Sequence, residues 1–135
     1  MKRMIAILTA AAVVMVLGGC DNFMTLFDKA WRLRGTWVLD HAKTTPDEPS
    51  YNQFIVHKNN TYEIIGFPGD IIEEADMRNV SETSFESTIR VQTLYPYVGE
   101  QTYARWVVSD GELSCTFYAD ATMTTTYITF VGRRQ

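Results

Sequence analysis

Two cysteines, two histidines and one tight group of acids are the side chains here whose chemistry would be easiest to recognise. Cys115 lies between Ser114 and Thr116 in a strand-like run. A reactive or metal-binding thiol needs a base, a cation or a helix end beside it to lower its pKa. None stands near Cys115 in sequence, so it reads as a small core residue. His41 falls in a loop and His57 beside a turn, and neither has ligand spacing to the other or to Cys115. Glu73, Glu74 and Asp76 lack the ordered oxygens and glycine of a calcium loop, so they read as a solvated strand edge. Serines and threonines are plentiful, but no nucleophile elbow and no phosphate-cradling glycine loop accompanies them. The expectation is a protein with no catalytic residues, no metal and no cofactor.

Cys20 is different. Met1-Lys2-Arg3 is a short basic start, and residues 4–17 form a run without charge. That run is short for a bilayer-spanning helix, which needs about 20 residues, and it has the build of a secretory signal core. It ends in Leu17-Gly18-Gly19-Cys20, which resembles a bacterial lipobox, with small residues beside the scissile bond and the cysteine as lipid acceptor. Residues 1–19 are therefore expected to be removed as a lipoprotein signal peptide, leaving Cys20 acylated. The mature chain of 116 residues keeps ten basic and sixteen acidic side chains, a formal net charge of −6. Such a surface argues against nucleic acid and against electrostatic docking on anionic lipid. Attachment to a membrane then rests on the acyl chains, at about 0.8 kcal/mol per buried methylene. The expected location is the bacterial cell envelope, facing the periplasm or the exterior.

After Asp21 and Asn22, both good helix caps, apolar residues at Phe23, Leu26, Phe27, Ala30 and Trp31 share one helical face. The opposite face carries Asp28, Lys29 and Arg32 without the basic enrichment of an interfacial helix, so this short helix is expected to cap the domain that follows. Residues 20–33 form this tether, and residues 34–135 form one domain. From Arg34 the periodicity changes to two. Strands are predicted at 34–40, 53–58, 61–67, 84–94, 102–108, 112–118 and 122–131. Residues 71–80 form an eighth strand, at an edge, or a short helical piece. Asn59-Asn60, Pro68-Gly69-Asp70 and Ser109-Asp110-Gly111 supply turn chemistry. Strands spaced near ten residues apart with short links predict an all-β, up-and-down antiparallel barrel of about eight strands. Closure of first strand on last would remove both sheet edges.

Gly35-Thr36-Trp37 gives this pattern a family likeness. A Gly-x-Trp in the first strand, after a short helix and before a meander, resembles the lipocalin and fatty-acid-binding superfamily, and especially its small bacterial lipocalin-like lipoproteins. The resemblance implies that Trp37 sits at the closed end of the barrel against an arginine at the end of the chain, Arg133 or Arg134, with Gly35 permitting close approach. It also implies a small apolar ligand inside. The chain is shorter than typical lipocalins and lacks their disulfide. Avidin-like barrels also begin with Gly-Thr-Trp, and small periplasmic barrel lipoproteins that inhibit enzymes are similar in style.

By alternation the interior set is Phe54, Val56, Tyr62, Ile64, Phe85, Ile89, Val91, Trp106, Leu113, Phe117, Ile128 and Phe130. A face this aromatic suits an apolar or flat ligand, and it equally suits a packed core. Tyr51 and Tyr95-Pro96-Tyr97 place aromatics in connecting segments, as lids over a barrel mouth or as contacts for an envelope protein partner.

Overall fold

The computed structural model describes residues 23–135, so Cys20 and the expected signal peptide lie outside the described residues. The chain divides into two units, with the boundary between Trp31 and Arg32. The described part of the first is a short helix over residues 23–27 followed by a turn. Within it the rings of Phe23 and Phe27 meet edge to face at 5.1 Å, and Trp31 Nε1–H donates to Thr25 Oγ1 at 3.3 Å.

The second unit is an eight-stranded antiparallel barrel in which every strand pairs with its neighbours in sequence. The strands are β1 (Gly35–Leu39), β2 (Tyr51–Val56), β3 (Thr61–Gly66), β4 (Ile71–Arg78), β5 (Ser84–Gln92), β6 (Gln101–Ser109), β7 (Glu112–Tyr118) and β8 (Thr126–Arg134). Closure comes from β1 and β8, with Trp37 opposite Arg134, Val38 opposite Arg133 and Leu39 opposite Gly132. The expected turns form as their chemistry dictates. Asp110 and Gly111 both take positive φ, at 53° and 74°, which lets a two-residue hairpin follow the strand twist.

Two expectations need correction. Residues 71–78 form the expected eighth strand, but it is neither at an edge nor helical, because β4 lies between β3 and β5 with ladders on both sides. The last strand runs through Arg133 and Arg134 instead of stopping before them, since both pair with β1.

Gly35, Trp37 and Arg134 lock the seam. Arg134 lies over the Trp37 ring at 4.3 Å and donates to the carbonyls of Arg34 at 2.5 Å and Arg32 at 2.6 Å. The guanidinium thus adds two backbone bonds to its cation–π contact. Trp37 is fully buried, and its Nε1–H donates to Leu33 O at 2.8 Å. A Cβ on Gly35 would stand 2.7 Å from Arg134 Nη1, at a φ of +125° that disfavours any other residue. Gly132 is held to glycine by the neighbouring strand, since a Cβ there would meet Val38 O at 2.9 Å. Arg133 has no such place inside; it faces out and pairs with Glu112 at 3.6 Å.

The middle of the barrel is filled by rings. Phe54, Tyr62, Phe85, Phe117 and Phe130 contact one another with centroids 5.3–6.2 Å apart, mostly edge to face or tilted. Those are the separations and orientations at which ring quadrupoles attract. The buried Cys115 lies on β7 in the same inward row as Leu113 and Phe117, and burial pushes its thiol pKa up, which suits an inert core residue.

Candidate functional site

Above this aromatic layer the barrel is not filled. A cavity of about 270 Å³ opens at the end that carries the β1–β2 and β5–β6 loops. Its volume lies near the small end of ligand pockets, roughly 300–1,000 Å³. The wall is apolar, from Ile64, Ile89, Phe117, Ile128 and Phe130. Pro46, Asp47, Glu48, Tyr95, Tyr97, Glu100 and Tyr127 form the mouth, and Tyr51, Tyr62, Glu73 and Thr102 lie deeper.

Local irregularity in the sheet puts the polar groups there. Among the described residues the ladder slips register four times: at Asn52 on β2, Ile72 on β4, Arg90 on β5 and Tyr127 on β8. Each slip sets two residues against one, and a bulge of that kind turns the chain and re-aims side chains. Tyr51 is thereby buried, although Phe54 and Val56 set the inward parity of β2. On β5, Ile89 opposes Ala75 and Gln92 opposes Glu73, with two residues between them facing one.

Gln92 and Glu73 consequently meet inside. Gln92 Nε2–H donates to Glu73 Oε1 at 2.7 Å, and the Tyr62 hydroxyl donates to Glu73 Oε2 at 2.7 Å. Gln92 also fixes the loop that follows, because its Oε1 accepts from Leu94 N at 2.9 Å. Burial raises the Glu73 pKa above the ordinary glutamate value, against the two donors that favour its charge. The same burial, with the Glu73 charge second, pushes the phenols of Tyr51 and Tyr62 up. Ser87 and Thr102, both buried, satisfy each other across β5 and β6.

At the mouth the rings of Tyr95 and Tyr97 stack at 5.4 Å, and Tyr97 meets Tyr127 at 6.0 Å. The Tyr95 hydroxyl donates to Glu48, joining the β5–β6 loop to the β1–β2 loop and holding that carboxyl below its usual pKa. Tyr127 OH reaches Glu100 Oε2 at 3.3 Å, and His41 Nδ1 stands 2.6 Å from Asp47 Oδ1.

The twelve interior residues expected from alternation divide. Tyr62, Ile64, Ile89, Phe117, Ile128 and Phe130 line the cavity. Phe54, Val56, Phe85, Trp106 and Leu113 are buried away from it, in the packed part of the barrel. Val91 is a correction: the bulge at Arg90 leaves it half-buried, opposite Glu74, and gives the inward place to Gln92. Glu73 is a second correction, since it is 7% exposed and hydrogen-bonded within the barrel, not part of a solvated edge. Glu74 and Asp76 do face outward, where Arg90 pairs with both. Sequence reasoning missed Glu73, Gln92, Glu48, Glu100 and Tyr127. Alternation carried no sign of the first two, because the bulges that aim them are set by pairing between strands. Comparison of the chain with protein-family models, with curated proteins and with solved structures finds no match.

Proposed function

We infer that this chain is a lipid-anchored, lipocalin-like protein of the bacterial cell envelope that binds a small, largely apolar molecule. The supporting observation is the cavity of about 270 Å³, walled by aliphatic and aromatic side chains and opening beside two loops. An apolar pocket with a few convergent polar groups is the usual form of a small-molecule site. Binding, not catalysis, fits its deepest carboxylate, since both oxygens of Glu73 are engaged by donors, and the thiol of Cys115 is buried outside the cavity lining. The anchor rests on the basic start, the uncharged run and Cys20 of the sequence.

A second reading has its own support. Leu94, Tyr95 and Val98 are 46%, 39% and 61% exposed on the β5–β6 loop, an apolar group at the mouth that a protein partner in the envelope would cover. Native mass spectrometry of the full chain, extracted from membranes in mild detergent, separates the two. A recurrent small apolar species released from the protein supports the container. An empty chain together with a stoichiometric protein partner would overturn it in favour of the second reading.

A further inference from the structure

Four carboxylates face the cavity, from Asp47, Glu48, Glu73 and Glu100, and its described lining includes no lysine, arginine or histidine. The one nearby imidazole, that of His41, is engaged with Asp47 at the rim. Tyrosine rings occupy much of the remaining mouth, and the face of an aromatic ring carries negative potential. Tyr95 stacks on Tyr97 and Tyr127 tilts against Tyr97, and Tyr51 and Tyr62 stand below beside Glu73.

An anion entering here would meet like charge in a partly desolvated site. A neutral apolar molecule would bring its apolar surface beside the charge of Glu48, which has the Tyr95 hydroxyl as donor, without supplying an opposite charge. A cation would meet both ring faces and carboxylates, at a place where screening by water is reduced. Glu73 at depth and Glu48 and Glu100 at the rim give two levels of attraction, with the aliphatic wall of Ile64, Ile89 and Ile128 between.

We propose that the cavity selects an organic cation: an ammonium group, primary or quaternary, joined to a compact apolar part. The proposal rests on the container reading above and narrows its ligand class. The ammonium sits among the tyrosines and carboxylates, and the apolar part packs on the isoleucines and the Phe117–Phe130 floor.

Calorimetric titration of the purified full chain at low salt with hexyltrimethylammonium, 1-hexanol and hexanoate tests this, since the three share one alkyl chain and differ in head-group charge. The cation is expected to bind at least tenfold more tightly than the alcohol, with hexanoate weakest, and added salt is expected to narrow the gap. Glu73→Gln is expected to remove most of the preference, and Glu100→Gln, at an exposed rim position where the amide oxygen can still accept from the Tyr127 hydroxyl, to reduce it several-fold. Equal binding of all three, tighter binding of hexanoate, or an undiminished preference in both variants overturns the cation while leaving the container. Absence of binding by any of the three overturns both.

Discussion

Glu73 is a carboxyl that folding has taken out of water, and its titration should show it. Burial raises its pKa above the ordinary value of 4.5, despite hydrogen bonds from Tyr62 and Gln92 that favour the charge. A group whose pKa rises on folding contributes its full stability below the unfolded value and loses it as pH climbs through the folded one. Glutamine in its place has nothing to ionise. Glu73→Gln is therefore expected to gain stability relative to the parent between about pH 4 and about pH 8, read as the difference in melting temperature at the two ends. An unchanged difference over that interval would show Glu73 to be solvated, and a parent that gains on the variant would show the hydrogen bonds from Tyr62 and Gln92 to outweigh burial. Gly35 makes a second residue-scale case. Gly35→Ala forces a side chain onto a φ of +125° and moves Arg134 off the carbonyls of Arg32 and Arg34. A loss of about 1–3 kcal/mol in denaturant unfolding is expected from strain of that kind.

Among the elements, β2, β3, β5, β7 and β8 each give one ring to the aromatic layer, and Phe117 on β7 touches Phe54, Tyr62, Phe85 and Phe130 at once. Phe117→Ala is expected to cost about 3–5 kcal/mol in chemical denaturation. Val107→Ala, on the outer face of β6 and 63% exposed, should stay within about 0.5 kcal/mol. The inward rows of β3, β6 and β7 were legible because period-two alternation holds through them without a slip. Strand β4 was not, since Ile71 and Ile72 followed by two glutamates fit neither a clean strand nor a helix. Only pairing on both sides, with the bulge at Ile72, explains why a glutamate there turns inward. Val91 was misassigned and Gln92 missed for the same reason: one extra residue in β5 reverses which face each side chain takes. Bulges are a property of two strands together, and a single strand's sequence carries little trace of them.

For the whole molecule, the closing pair could be anticipated from Gly35, Trp37 and two terminal arginines, and only geometry chose between them. Arg134 stacks on the indole, whereas Arg133 faces solvent beside Glu112. The aromatic composition of the interior was equally visible, but not its division into a packed half and an open half. That division depends on the four register slips gathered toward one end, which draw Tyr51, Glu73, Gln92 and Tyr127 into the mouth region. The most direct test of an occupied cavity is to plug it. Ile128 lies on the cavity wall and is half-exposed, so Ile128→Trp has room to fill the space without repacking the aromatic layer. Native mass spectrometry of parent and variant, both as full chains from the same membranes, is expected to show a small molecule bound to the parent and lost from the folded variant. The same molecule retained at equal occupancy by the plugged barrel, or none found in either, would contradict the assignment of this cavity as a binding site.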